Sequence, residues 1–423
     1  MQDARQIAAF ERITGQPQSQ KDAVEARNGL RHIAALVMTK LSDGLIDPKL
    51  VLSWLLTHLG APALYAGALV PIREAGALLP QLLLADRLER MARRKWMWVA
   101  GSLVQGLAAG AIALAALVLK GAAAGAAICA ALAVLAVARA AASVSYKEVL
   151  GKTVHQARRG AVTGMAGSIA SLAVFGFALL LISGAASGAG AIIGAIGLAG
   201  ALWAAAAWVF ARLEEAEGTP QGPQGLAFWS VLRQSAPLRR YIIVRGLLVS
   251  TALAPPYLVV MAQQAGAEGL SRLGGMVLAS ALASFLSSYI WGRMADDSSR
   301  RVLMTSGLLA LAAMAAALAL GAAGLAGAWW AMPAALFVLM IAYHGVRQGR
   351  SIYLVDMTPE GKRGRYGAVA NTAIGTILLL AGALGGGASL MGPEAVIALF
   401  AAMALAGGIL AAGLPEAAAQ GGA

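Results

Sequence analysis

Long apolar runs alternate with short polar segments along most of the chain. Each run contains about twenty residues, the length that an α-helix needs to cross the hydrocarbon core of a bilayer. The pattern therefore predicts an all-α polytopic membrane protein with twelve transmembrane helices. The predicted spans are 31–57, 63–84, 97–118, 122–143, 163–184, 189–211, 240–262, 273–291, 302–320, 327–346, 367–388 and 395–413.

The polar segments divide these spans into two sets of six. The stretch between the sixth and seventh spans contains EEAEGTPQGPQG, a composition typical of a linker. We therefore predict, in chain order, a cytoplasmic N-terminal segment, a six-helix bundle, a cytoplasmic linker, a second six-helix bundle and a cytoplasmic tail. Their predicted ranges are 1–30, 31–211, 212–239, 240–413 and 414–423.

The composition supports this class of protein. Apolar residues make up 59% of the 423 residues and charged residues only 13%, against about 25% charged in soluble globular proteins. A water-soluble fold could not bury that much apolar surface beneath so few charges. The composition thus excludes a soluble enzyme.

The net charge of +13 predicts topology rather than a nucleic-acid partner. Membrane proteins collect Lys and Arg in their cytoplasmic loops. If the N-terminus is cytoplasmic, only Lys120 and Arg272 of the 33 basic residues fall in outer loops. We expect both termini in the cytoplasm, no cleavable signal peptide in residues 1–28, and no binding of nucleic acid.

Metals and cofactors are not expected from the residue types present. Cys129 is the one cysteine, and the four histidines show no metal-ligand spacing. The chain also lacks the glycine-rich P-loop that binds nucleotide phosphates, so ATP is not predicted as the energy source.

An internal repeat with an offset of 207 residues relates the two sets of spans. The same offset places Pro48 in the first span on Pro255 in the seventh. The other matched pairs are Tyr146 and Tyr353, Arg158 and Arg365, Gly160 and Gly367, Ala161 and Ala368, and Val162 and Val369. Two halves in the same orientation fit parallel repeats related by an axis along the membrane normal.

Two loops carry a similar acidic and basic signature beside the membrane. The loop after the second span contains Asp86-Arg87 and ends in Arg93-Arg94-Lys95. The loop after the eighth span begins Gly292-Arg293-Met294-Ala295-Asp296 and continues to Arg300-Arg301. Both resemble the G-x3-D-R-x-G-R-R/K motif of the major facilitator superfamily, although Leu82 and Glu89 replace the two glycines of the first copy.

The resemblance implies a bacterial inner-membrane transporter of this superfamily with two pseudo-symmetric bundles; it specifies no substrate. It also implies that a cytoplasmic gate is formed by Asp86, Arg87, Gly292, Asp296, Arg300 and Arg301, with Asp86 and Asp296 stabilising an outward-open state. A carboxylate beside arginines can form such a clasp. The alternative is a pair of basic loops that only fix the topology.

Charges inside the spans predict a cavity. A charged residue at bilayer depth is costly and usually faces a partner or water. Lys40, Asp43 and Asp47 share one helical face at i, i+3 and i+7, and Arg73 is expected to pair with Asp43 or Asp47. The candidate cavity residues are Lys40, Asp43, Asp47, Arg73, Glu74, Arg139 and Arg245.

The placement of these charges fits the resemblance. Spans three, six, nine and twelve lack charged residues, and these are the peripheral helices of the superfamily. Pro48 and Pro255-Pro256 are expected to interrupt their helices at matched depths, which is typical of helices that line a substrate site.

Two roles remain open for Asp43, Asp47 and Glu74. One carboxylate could exchange a proton and couple transport to the proton gradient, or all three could pair permanently with Lys40, Lys49 and Arg73. We expect a monomeric secondary transporter of an anionic, zwitterionic or lipophilic small molecule. The alternatives are a lipid or lysolipid flippase on the same fold and a non-transporting receptor or assembly factor.

Overall fold

The computed structural model describes residues 2–14, 23–185, 188–217, 232–233, 235–266, 269–358 and 363–415. The linker centre at 218–231 and the tail at 416–423 lie outside the described residues.

Within the described ranges the regular structure is helical, as predicted. In chain order the helices are α1 (Gln2–Thr14), α2 (Ala23–Leu45), α3 (Val51–His58), α4 (Ala63–Leu78), α5 (Gln81–Glu89), α6 (Lys95–Val118), α7 (Gly121–Thr153), α8 (Gln156–Ile182), α9 (Ala189–Ala211), α10 (Ala236–Leu247), α11 (Ser250–Leu253), α12 (Pro255–Gln264), α13 (Leu270–Asp297), α14 (Ser299–Ala322), α15 (Ala331–Asp356), α16 (Arg363–Ala388) and α17 (Pro393–Ala412). A short 3-10 turn, Ser389–Met391, joins the last two.

Nine helical segments of the described chain are long and apolar enough to cross a membrane. They correspond to the third to ninth, eleventh and twelfth predicted spans, with α10 to α12 forming one segment. The first predicted span is divided between α2 and α3, and the second is a 16-residue helix, α4, continued by α5. The tenth, α15, carries several polar residues. This arrangement is consistent with twelve spans.

Large apolar side chains cover the outside of the helix bundle. Leu107, Leu172, Phe285 and Leu384 are among many that remain exposed. A soluble monomer rarely presents so much apolar surface. These side chains face the lipid of a membrane instead.

The same packing pattern recurs in the two halves of the chain. In the first half α6 packs on α7 and α9, and in the second α14 packs on α15 and α17. Likewise α4 packs on α7, and α13 on α15. The recurrence follows the internal repeat seen in the sequence.

Several helix contacts join the halves. Helices α8 and α13 pack together, and so do α4 and α16. At the end predicted to face outside, α3 packs on α12. Val51 to Leu56 and Pro255 to Gln263 are all buried there, and the Gln263 Nε2 atom donates to the Trp54 carbonyl oxygen at 3.4 Å. This end of the bundle is closed.

Candidate functional site

A break at Pro48 positions the charged residues of the first span. Helix α2 ends at Leu45 and α3 begins at Val51. Asp47 lies in the turn between them, where its Oδ1 atom accepts hydrogen bonds from the backbone nitrogens of Lys49 at 2.8 Å and Leu50 at 3.0 Å. The carboxylate thereby satisfies amide groups that the interrupted helix leaves free.

The structure corrects one part of the sequence prediction. Because α2 ends before Asp47, this residue does not share a helical face with Lys40 and Asp43. A proline cannot donate a backbone hydrogen bond, which favours an interruption of the helix at Pro48. The predicted interruptions are confirmed at both matched prolines, since α11 and α12 are separated just before Pro255.

Asp43 is the centre of a charged cluster within the first half. Its carboxylate accepts from Arg73 at 2.7 Å and also binds Arg139. The predicted pairing of Arg73 with Asp43 is thus confirmed. The cluster joins α2, α4 and α7, and two guanidinium groups share one carboxylate.

Glu74 faces a different environment from Asp43. It lines a cavity between the halves with Arg245, Tyr343, Arg347 and Arg350. Among the described side chains, no hydrogen bond or ion pair to Glu74 is formed. Permanent pairing of all three carboxylates therefore does not hold within the described residues.

Polar contacts cross from one half to the other around this cavity. The Lys49 Nζ atom lies 3.5 Å from the centre of the Tyr343 ring, a cation–π contact. Asn371 accepts from Arg245 at 3.1 Å and donates to Gln81 at 3.3 Å. Together these contacts link the turn between α2 and α3 to α15, and α5 to α10 through α16.

Lys40 of α2 is the exposed member of the predicted cavity residues. Its side chain lies beside Gly167 of α8. Arg347 of α15 and Arg139 of α7 are close enough to act on it electrostatically. Six of the seven predicted cavity residues thus lie in or beside the charged region between the halves, and Asp47 caps the helix break at its edge.

The predicted gate residues are described only in part. The side chains of Asp86 and Asp296 and the surroundings of Gly292 lie outside the described residues. Arg87 and Arg301 are exposed. The Arg300 Nη1 atom donates to the carbonyl oxygens of Ala412 at 3.4 Å and Leu414 at 3.3 Å, contacts that stay within the second half.

An equivalent contact occurs in the first half. The Lys95 Nζ atom donates to the carbonyl oxygens of Ala211 at 2.8 Å and Leu213 at 2.6 Å. In each half, a basic residue at the start of the third helix therefore binds the last carbonyls of the sixth. A cation is favourable at a helix C-terminus because the carbonyl dipoles point there.

Two acidic residues from the beginning of the predicted linker, Glu214 and Glu215, bind basic residues and backbone amides of the first half. Glu215 accepts from the backbone nitrogens of Arg94 at 3.1 Å and Lys95 at 2.8 Å, and from Lys152 at 3.3 Å. Glu214 pairs with Arg27 and Arg31. The beginning of the predicted linker is thus fastened to the first half.

Three cavity-lining residues of α15, namely Tyr343, Arg347 and Arg350, are absent from the candidates predicted from the sequence. The signal was available, because Tyr343, Arg347 and Arg350 are spaced i, i+4 and i+7 and so share one helical face. Asn371, which links Arg245 to Gln81, is likewise absent from those candidates.

Part of the chain matches a known family, and most of it shares its fold with solved structures. Residues 248–420 match the Major Facilitator Superfamily model. The fold is similar to that of a POT family transporter in complex with a thioalcohol conjugated peptide, with TM-score 0.70, 12% identity, and coverage of 90% of this chain and 95% of that one. It is also similar to a D-xylose-proton symporter, with TM-score 0.67, 10% identity, and coverage of 92% and 98%.

A third similar structure is the nucleoside transporter NupG, with TM-score 0.66, 13% identity, and coverage of 91% of this chain and 98% of that one. The sequence matches no curated protein. At such low identities the three structures show a shared fold.

The long apolar helices and the apolar exterior of the described chain define a multi-pass membrane protein. The family match covers the second half, and the fold likeness extends over nine-tenths of the chain. The match to the Major Facilitator Superfamily is thus shown for residues 248–420, and the chain as a whole shares the fold of the three solved structures.

Proposed function

We propose that this chain couples the movement of an anionic or zwitterionic small solute to protons, with alternating access to a site between its two halves. The observation that carries the proposal is Glu74, a carboxylate in a cavity otherwise rich in arginine. An ionisable group inside a membrane is by default a functional one.

The other two carboxylates are less suited to exchanging a proton. Asp43 binds two arginines, and Asp47 accepts two backbone hydrogen bonds. Protonation of either would sacrifice contacts that hold helices together. Glu74 has no such bonds among the described residues, so it can gain a proton without dismantling the first half.

Protonation of Glu74 would change how strongly its basic surroundings bind an anionic solute. Its negative charge compensates basic groups that a bound anion would also need. The charged and titratable groups that act on it or share its cavity are Lys49, Arg73, Arg139, Arg245, Tyr343, Arg347 and Arg350. Protonation of Glu74 would free these cations for the solute, which favours uptake of proton and anion together.

The closed end supports alternation between two states. Helices α3 and α12 exclude water at the predicted outer end, whereas Lys40 is exposed on the other side of the cavity. Rocking of the two halves about the cavity would open the α3–α12 end and bury Lys40 on the other side.

The test uses a single-cysteine reporter, Gln263→Cys, in a Cys129→Ser background. Gln263 is buried where α3 meets α12, so its labelling by a membrane-impermeant maleimide reports opening of that end. We expect the degree of labelling to change between pH 5.5 and pH 8, after correction with an unfolded-protein control for thiol reactivity.

Glu74→Gln, which mimics the protonated acid, should fix labelling at the low-pH value. Asp47→Asn is the matched control and should keep the pH dependence. A pH response that survives in Glu74→Gln would contradict coupling through this residue. Labelling that never changes with pH in the parent protein would contradict proton coupling altogether.

A further inference from the structure

We infer that Asn371 is a positioning residue for proton exchange at Glu74, and that its effect depends on how the two halves are arranged. Arg245 lines the cavity together with Glu74, and Asn371 acts through Arg245, to which it is hydrogen-bonded. This role rests on the proposed function and adds to it a residue that connects the proton site to the interface between the halves.

The hydrogen bonds around Asn371 run in one direction across the interface. The Gln81 Nε2 atom donates to the Ala77 carbonyl oxygen at 2.8 Å, which leaves the Gln81 Oε1 atom to accept from the Asn371 Nδ2 atom at 3.3 Å. An amide side chain has its donor and its acceptor on separate atoms. Because the Asn371 nitrogen is directed to Gln81, its Oδ1 atom accepts from the Arg245 Nη1 atom at 3.1 Å. A residue of the first half thus orients the acceptor of Arg245.

Close helix packing brings Asn371 to Gln81. Gln81 is the first residue of α5, directly after the break that ends α4, and both helices pack on α16. One turn beyond Asn371, a Cβ atom at Gly375 would lie 2.9 Å from the Leu79 side chain. Rocking of the halves displaces α5 relative to α16, and a hydrogen bond weakens as its length and angle change. The hold of Asn371 on Arg245 therefore differs between the two arrangements.

Burial makes the acceptor of Arg245 important. Arg245 is only 4% exposed, and its Nε atom has no hydrogen-bond partner among the described residues. A buried charged donor that loses its acceptor is costly. The cavity that Arg245 shares with Glu74 measures about 20 Å³, enough for about one water molecule. A guanidinium released by Asn371 would therefore turn to the Glu74 carboxylate rather than to solvent.

The choice of Arg245 between Asn371 and Glu74 gives the proton its effect on the conformation. An ion pair with Arg245 stabilises the charged form of Glu74, so proton uptake would then need a lower pH. While Asn371 holds Arg245, Glu74 gains a proton more readily. Proton binding therefore favours the arrangement described here, in which the α3–α12 end is closed. The other charged and titratable groups near Glu74 and Arg245, left unchanged in the variants below, are Lys49, Arg73, Arg139, Tyr241, Tyr343, Arg347 and Arg350.

The experiment determines the midpoint of the pH response of Gln263→Cys labelling in the full-length protein. Asn371→Leu removes the acceptor of Arg245 and should move the midpoint about one pH unit lower. Asn371→Asp should move it higher by a similar amount, because a carboxylate at this position neutralises Arg245 and repels the negative charge of Glu74. A loss of packing alone would not produce shifts of opposite sign.

A second substitution tests the dependence on the first half. Gln81→Leu leaves Asn371 without its orienting acceptor, so it should move the midpoint in the same direction as Asn371→Leu but by less. Added to Asn371→Leu, it should cause no further shift. The matched control is Thr376→Val on the same helix, because the Thr376 hydroxyl donates to the Thr372 carbonyl oxygen of α16 itself. The midpoint should be unchanged there, and cooperative melting shows that each variant remains folded.

Equal midpoints in the parent and in Asn371→Leu, or shifts of the same sign in both Asn371 variants, would overturn the positioning role. An equal shift from Gln81→Leu with and without Asn371 would show that Gln81 acts independently, which overturns the dependence on the interface. If Asn371→Leu does not fold, Asn371→Asp and Gln81→Leu decide by the opposite signs of their shifts. A parent protein without any pH response refutes the proposed function, whereas a parent response with unshifted variants refutes the role of Asn371 alone.

Discussion

Removing the carboxylate of Asp43 should destabilise the first half of the protein. Asp43 is the shared acceptor of Arg73 and Arg139, and Arg73 is buried. Removing one partner of a fully buried ion pair costs about 3–5 kcal/mol. The Asp43 and Arg139 side chains retain 25% and 38% exposure, so water can compensate in part. We expect Asp43→Asn to lower the free energy of unfolding by about 2–3 kcal/mol.

The assay is reversible unfolding in mixed micelles of detergent and sodium dodecyl sulfate. A double-mutant cycle of Asp43→Asn and Arg73→Met isolates the interaction energy between these two side chains. The double variant should lose less stability than the sum of the single variants, because an arginine without its carboxylate is what makes Asp43→Asn costly.

The matched control is Lys40→Met, one turn away on α2. Lys40 is exposed and forms no ion pair within the described chain, so its loss should change stability by no more than about 0.5 kcal/mol. Additive effects of Asp43→Asn and Arg73→Met would refute the proposed coupling. So would equal losses from Asp43→Asn and Lys40→Met.

Two further predictions concern the contact between halves and the helix ends. A Cβ atom at Gly382 would lie 2.3 Å from the Pro71 ring, so Gly382→Ala should separate α16 from α4. Maleimide labelling of the Gln263→Cys reporter on α12 should then increase several-fold. The control is Gly387→Ala, which has open space around it and should leave labelling unchanged. Glu215→Ala removes a buried acceptor from the start of α6 and a partner of Lys152. It should lower the free energy of unfolding by about 1–2 kcal/mol in the same micelle assay, and Glu215→Gln should lose less.

The sequence allowed the membrane class and much of the charged region to be predicted. Twenty-residue apolar runs have few alternatives to membrane helices. The cost of an isolated charge at bilayer depth made a partner for Arg73 necessary, and Asp43 is that partner. The matched prolines also indicated both breaks, because proline removes a helical hydrogen bond wherever it occurs.

Other contacts could not be predicted, because they depend on how distant helices meet. Asp47 was placed on a continuous helix, and its role as a cap required knowing that α2 ends at Leu45. Glu215 follows a span and precedes glycines and prolines, a composition that predicts a linker. Its acceptance of bonds from α6 becomes visible only when the sixth and third helices are adjacent.

The arrangement of charge is less symmetric than the fold. Both halves have a proline break and the same helix packing, yet Asp43, Asp47 and Glu74 all belong to the first half, while Arg245, Arg347 and Arg350 belong to the second. A symmetric scaffold lets the halves rock about one site, whereas an asymmetric charge distribution lets them perform different tasks there. Under the proposed function, the second half holds the anionic solute and the first half exchanges the proton. Neutralising Glu74 should therefore alter the pH response of the Gln263→Cys labelling, whereas neutralising Arg347 should weaken binding of an anionic solute.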